Sequence, residues 1–278
     1  MLPNDLDLPH ILAIALLFAM WGLYSPILSA LGRGTLNAQL HVVRMRWMRM
    51  LLQTHRDHRT FDALMMGHIS NSMAFFGSAT LLVLAGLLGT LANISRLYAA
   101  VMEIKFVPII SLELFTIYFV TLTLIMAICF FSFTYALRKL AYTLAMIGGL
   151  SEAPGDDPHS KIMVLETATV MTEAVKSLNN GIRGYYFAIA AIFLFAGPYH
   201  CMVMTAVMSG LLLYRQGFST TALAIERYVD AMGNMRKKLS ELDPPPCGEG
   251  GERSEPGGGS LRHHQTPTPN PSPQGGGE

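Results

Sequence analysis

The sequence predicts an all-α polytopic membrane protein: a four-transmembrane-helix bundle with two amphipathic cytoplasmic helices and a disordered C-terminal tail. Three observations predict it. Of 278 residues 51% are hydrophobic and only 14% charged, against roughly 25% charged in soluble domains. Four long runs hold no Asp, Glu, Lys or Arg. The basic residues between those runs are unevenly shared, as the two faces of a membrane require. The same composition excludes a disordered chain, a coiled coil and a nucleic-acid binder. Three cysteines without paired spacing, Cys129, Cys201 and Cys247, exclude a disulfide framework and a zinc site.

Each run is long enough to cross a hydrocarbon core of about 30 Å, which needs roughly 20 helical residues. The runs are 8–31, 70–92, 114–134 and 185–214. The first is expected to stay as an anchor. It follows two Asp and no Lys or Arg, whereas a cleaved signal peptide opens on a basic segment.

Orientation follows from the connecting segments. The loop 32–69 has six Arg, the loop 93–113 two basic residues and the loop 135–184 five. The first and third loops are therefore expected in the cytoplasm and the N-terminus outside, in a bacterial inner membrane. Four crossings would then put 214–243 outside, yet that segment carries Arg215, Arg227, Arg236, Lys237 and Lys238. The fourth run bears on this conflict, because its middle reads Gly197-Pro198-Tyr199-His200. It is read as one tilted helix kinked at Pro198. The alternative is a re-entrant hairpin, whose arms of about a dozen residues would reach only about 20 Å each.

Two segments outside the runs are amphipathic. In the first loop Leu36, Leu40, Val43, Trp47, Met50 and Thr54 recur at steps of three and four, with Arg46, Arg49, Gln53 and Arg56 on other faces. Such a helix either packs its stripe on neighbouring span ends or lies in the headgroup layer. In the third loop Val164, Ala168, Met171, Val175 and Leu178 make a shorter stripe, with Asn180-Gly181 as an expected stop. The first loop is net basic, with six Arg against two Asp, and the third offers Glu152, Asp156, Asp157, Glu166 and Glu173 as partners. The tail 244–278 has 8 Pro and 9 Gly in 35 residues and cannot bury enough apolar surface to order itself. It reads as an appended segment without designed function, with a flexible tether or a Pro-rich ligand as alternatives.

No Walker loop, dinucleotide Gly-rich turn, HExxH, GxSxG or CxxC occurs. No catalytic residue, metal site or cofactor is therefore expected; His41, His55, His58 and His68 read as ordinary surface histidines. Intramembrane polar groups are the better candidates, since they are costly to place in lipid. His200 sits at the Gly197-Pro198 break and reads either as a neutral histidine bonded to a freed carbonyl or as a proton-coupling or ligand group. Asn71, with Ser72, Ser78 and Thr80, is expected to bond across helices. Glu113 flanks the third run on its outer side. Lipid headgroup contacts are expected from Arg44, Arg46, Arg49, Trp47, Arg138 and Arg183, where cations stand beside aromatic residues.

Several of these residues, taken in order, resemble the family catalogued as domain of unknown function 599, found in bacterial and plant membrane proteins. The resemblance runs from Trp21 to Ser219. It rests on Trp21 and Tyr24, Arg46-Trp47-Met48 with Asp62 and Gly67, and Phe75-Phe76 with Ser78 and Gly86. It continues through Glu103-x-Lys105, Phe131-x-Phe133, Leu137-Arg138 with Tyr142, Asn179-x-Gly181-x-Arg183, Tyr185-Tyr186-Phe187, Pro198, and Tyr214-Arg215 with Phe218. Tyr135 stands where Trp is expected and Gln216 where a second Arg is usual. The resemblance implies a multi-span membrane protein and no particular activity.

The expected function is that of a non-enzymatic integral membrane protein acting through membrane lipid, a second copy of itself or a membrane-protein partner, with no nucleic acid involved. A small transporter or channel subunit with a polar site near His200 is the alternative. An enzyme acting on lipid or quinone has less in the sequence to support it.

Overall fold

The computed structural model describes residues 5–30, 35–53, 60–104, 108–150 and 157–242. The tail 244–278 and the pair His55 and His58 lie outside them. Met1–Met235 form one compact unit and Arg236–Glu278 a second, of which only the last residues of a helix are described. All regular structure among the described residues is helical: α1 (Leu8–Ala30), α2 (Leu36–Gln53), α3 (Thr60–Leu91), α4 (Ile94–Met102), α5 (Leu112–Gly149), α6 (Pro158–Ile192), a 3-10 turn (Phe193–Ala196), α7 (Pro198–Gly217) and α8 (Thr220–Leu242).

Three helices are long and apolar enough to cross a membrane: Leu8–Leu28, Thr60–Leu91 and Leu112–Gly149. The last two extend well past the apolar runs. At 1.5 Å per residue α5 is a rod of about 57 Å and α3 one of about 48 Å, so neither fits inside a core of about 30 Å. An apolar run marks only the length that faces lipid, and the helix continues wherever one face still packs. α5 starts at Ser111, whose Oγ accepts from the Leu114 N–H. α6 starts at Asp157, whose carboxylate accepts from the Ser160 N–H, with Pro158 at the first helical position. Within the apolar stretches Thr116, Thr121, Thr123, Ser132 and Thr134 donate to the carbonyl four residues back, which satisfies hydroxyls that lipid cannot.

α5 and α6 form the longest packed pair and carry two cores in opposite order. On α5 Tyr118, Ile125 and Cys129 belong to one core and Ala136 and Leu140 to the other; on α6 Val164 and Met171 belong to the second and Phe187 and Ala191 to the first. The two helices are therefore antiparallel. α1 contributes Ala13, Leu17 and Trp21 to the first core alone, and α2 contributes Met48, Leu51 and Leu52 to the second alone. Away from lipid, full burial of a side chain such as Leu51 or Leu140 stabilises the fold by about 1.5–3 kcal/mol.

Two local expectations are corrected. Asn180-Gly181 does not stop a helix, because α6 runs unbroken through it. Its glycines serve close packing instead: a Cβ at Gly181 would come 2.6 Å from Phe133 Cε1, and one at Gly184 would overlap the Cys129 sulfur. The stripe expected on α2 is also offset by one residue. The face turned to α6 holds Asn37, His41, Arg44, Met48 and Leu51, while Met50 is exposed. Half of that face is polar because it bonds Thr172, and an apolar periodicity cannot find it.

The expected single kinked helix over 185–214 is also replaced. After Ile192 the chain tightens into the 3-10 turn, passes Gly197 at φ 125°, and restarts as α7 with Pro198 at its first position. A positive φ of this size suits glycine alone among the residues here. At this end Phe195 lies 5.0 Å from the Phe115 ring and 5.8 Å from that of Tyr118. At the other end Arg215 of α7 donates to the hydroxyl of Tyr186 on α6. The chain has reversed, and α7 returns along α1 and α6. The reversal escapes the short-arm objection because one arm, α6, began long before residue 185. α7 is also inside-out by the standards of a water-soluble helix. Cys201, Thr205 and Ser209 are buried at steps of four, whereas Val203, Val207 and Leu211 are exposed. Small polar residues inward and branched apolar residues outward suit a helix bathed in lipid.

Candidate functional site

The reversal gathers the C-terminal ends of α1 and α7, the first half of α2 and the start of α8 against the middle of α6, around a cleft of about 470 Å³. Tyr24 on α1 supplies its floor. Its ring is buried, and its hydroxyl donates to Gln216 Oε1 at 2.8 Å and is within 3.1 Å of the Leu212 carbonyl. The Arg183 guanidinium lies 4.2 Å from the centre of the Tyr24 ring, a stacking that fixes the plane of the guanidinium.

α2 supplies a second wall. Arg44 Nη1 donates to the Asn37 carbonyl at 3.1 Å and to Thr172 Oγ1 at 3.2 Å. Asn37 Nδ2 donates to the Thr172 carbonyl at 3.1 Å, and His41 Nδ1 lies 2.9 Å from Thr172 Oγ1. Burial pushes the Arg44 guanidinium below its ordinary value, though an arginine stays charged at neutral pH. Asn37 is only 7% exposed, and its Oδ1 has no hydrogen-bond partner among the described residues.

Lys176, Arg183 and Arg215 complete the cationic lining with Arg44, and no Asp or Glu stands among the described residues that line the cleft. Lys176 also pairs with Glu173 outside the lining; Arg44, Arg183 and Arg215 have no carboxylate beside them in the lining and together attract an anion. A second cleft of about 450 Å³ shares Ser25, Lys176 and Arg183 with the first, and its other wall is Ile128, Phe131 and Tyr135. There Lys139 bonds Ser177 Oγ at 3.0 Å and pairs with Glu173 at 3.5 Å; Lys176 pairs with Glu173 at 3.0 Å.

Arg44 and Arg183 thus share the first cleft. The other expected headgroup contacts do not line it: Arg46 and Arg49 are exposed on α2, and Arg138 is exposed on α5, with its Nε 2.6 Å from the Tyr142 hydroxyl. Trp47 is half-buried and donates to Asp62 Oδ1 at 2.6 Å. The intramembrane candidates are not brought together. His200 is exposed in the first turn of α7, Glu113 in the first turn of α5 and Asn71 on α3, and none of them lines either cleft. Of the hydroxyls grouped with Asn71, Thr80 reaches across to Tyr185, while Ser72 bonds the His68 carbonyl of its own helix. Among the described residues no three His, Cys, Asp or Glu side chains are placed to share a metal ion.

Sequence reasoning did not single out Tyr24, Asn37, Thr172, Lys176 or Gln216 as parts of one site. The available signal was the three-to-four spacing of Asn37, His41 and Arg44 inside a helix otherwise read by its apolar residues. Gln216 has a physical role here, since it gives the Tyr24 hydroxyl an acceptor and an arginine has none.

No curated protein and no solved structure matches the chain. A family model described as protein of unknown function, DUF599, matches residues 12–221, from within α1 to the start of α8. With the larger part of its length matched, the chain belongs to the DUF599 family.

Proposed function

We propose that the protein crosses the membrane five times and acts by binding anionic lipid at a cytoplasmic, basic end. α1, α3, α5, the second half of α6 and α7 would be the crossings, with the N-terminus outside. The observation that carries this is the return of α7, which sets Arg215 beside Tyr186. Arg215 and Arg227 would then share a side with Arg44, Arg138 and Arg183, which removes their conflict with the positive-inside rule. Arg96, on α4, is the one described Arg or Lys at the opposite end. Exposed Leu81, Leu82, Val120, Leu124, Val203 and Val207 suit an acyl-chain environment between the two ends. The transporter reading calls for a polar site at mid-membrane, and His200 is exposed in the first turn of α7.

The test is lipid selection by the full chain. Nanodiscs are assembled from equal parts phosphatidylcholine and phosphatidylglycerol, and the lipid retained on transfer to detergent is counted by native mass spectrometry. Enrichment of the anionic lipid over its input, reduced severalfold by Arg46→Gln, Arg49→Gln and Arg138→Gln together, supports the proposal. Retention in proportion to input would refute it.

A further inference from the structure

We infer that the cleft between α1, α2, α6 and α7 is a discrete binding site for a phosphate ester, with the phosphate held by Arg183, Lys176 and Arg215. The inference rests on the lipid-binding reading above and sharpens it from a charged surface to one built pocket. The walls are preformed: Tyr24, bonded to Gln216, carries the stacked Arg183, and Thr172 holds Arg44 and Asn37. A guanidinium fork matches a phosphate's oxygens better than a point charge does. A cleft of about 470 Å³ falls in the range of small-molecule sites, roughly 300–1,000 Å³, and exceeds what a bare phosphate fills. Asn179, Ser219 and Thr221 are among the uncharged polar residues along it, and Asn37 Oδ1 is an acceptor without a partner among the described residues, so the ester's alcohol is expected to carry hydroxyl or ammonium donors.

The second cleft indicates how the rest of the ligand is accommodated. It opens from the same Ser25, Lys176 and Arg183, with Ser132, Ser177, Asn180, Lys139 and Glu173 on its polar side and Ile128, Phe131 and Tyr135 as an apolar wall; Phe131 and Tyr135 are well exposed. A phosphate at Arg183 therefore has a polar headgroup site on one side and, on the other, a mixed cleft with one apolar wall. A phospholipid fits both, whereas a soluble phosphate ester fits the first alone.

The experiment uses the full chain purified in a neutral detergent. Binding of phosphatidylglycerol is followed by native mass spectrometry, with glycerol 3-phosphate and inorganic phosphate as soluble competitors. Wild type and Arg183→Gln/Arg215→Gln are compared, together with Arg96→Gln, which removes an exposed cation on α4 and leaves the cleft intact. The cleft variant is expected to bind at least tenfold more weakly, and Arg96→Gln within about twofold of wild type. Displacement by glycerol 3-phosphate would place recognition in the headgroup, and its failure would assign the site to the whole lipid; both uphold the cleft. Equal binding by the cleft variant and wild type would overturn it even if anionic lipid is enriched overall. Should Arg183→Gln/Arg215→Gln fold poorly, Lys176→Gln with Asn179→Leu replaces it, with a threefold or greater loss expected and no loss overturning the site.

Discussion

The Tyr24 hydroxyl donates to Gln216 Oε1 at 2.8 Å, which places the C-terminal part of α1 level with that of α7. Two helices whose same ends meet run in the same direction, so an odd number of crossings separates the start of α1 from the end of α7. Tyr24→Phe removes a buried donor and leaves Gln216 Oε1 short of its partner. The expected cost is about 1–3 kcal/mol, read as a lower thermal midpoint in detergent. Tyr24→Phe combined with Gln216→Leu should lose less than the sum of the single changes, because the second removes the orphaned acceptor.

Gly184 and Gly181 set the α5–α6 spacing. Gly184→Ala would press on Cys129 and Gly181→Ala on the Phe133 ring, and each is expected to destabilise by about 1–3 kcal/mol through overpacking. Gly148→Ala is the control. Nothing lies within 4 Å of a Cβ there, so it should be neutral or stabilise α5 by up to about 1 kcal/mol. Thermal midpoints of the three variants, measured in one detergent, check the ordering.

Gly197 carries the reversal. At φ 125° an alanine is strained by about 1–3 kcal/mol whatever space surrounds it. Gly197→Ala should lower the midpoint and, by loosening the turn, raise the protease sensitivity of the α6–α7 connection. An unchanged midpoint would mean that the backbone there tolerates ordinary residues.

Glu173 predicts a modest pH dependence. Burial works to raise its carboxyl, but the hydrogen bond and charge of Lys176 and the charge of Lys139 outweigh that and hold it below its ordinary value of 4.5. A depressed carboxyl stabilises the fold above the unfolded value and loses that contribution as the pH falls through the folded one. Glu173 is 43% exposed, so the effect is that of a solvated pair, below about 1 kcal/mol. Wild type should therefore exceed Glu173→Gln in midpoint at pH 7, and the gap should close below about pH 4.

Much of the fold was legible because lipid imposes a simple demand. Leu81, Leu82, Val120 and Leu124 must be apolar to face it, so α1, α3 and α5 stand out in any reading of hydropathy. α6 and α7 are less distinct, since α6 carries the part-buried Asn180 and Arg183 and α7 turns Thr205 and Ser209 inward, so that 185–214 reads as one run. Their separate identities depended on the backbone angle of Gly197, which the Gly-Pro dipeptide announces as a break without giving its direction. The cleft was less legible still. Tyr24, Arg44, Arg183 and Gln216 come from four helices, and only the return of α7 brings Gln216 to Tyr24.

The side of the membrane that holds the C-terminus tests the central claim most directly. Full-length chains ending in green fluorescent protein or in alkaline phosphatase are expressed in a bacterium and compared at equal protein levels. Five crossings predict bright fluorescence from the first fusion and background phosphatase activity from the second. High phosphatase activity with dark green fluorescent protein would put the end of α7 outside and contradict the account.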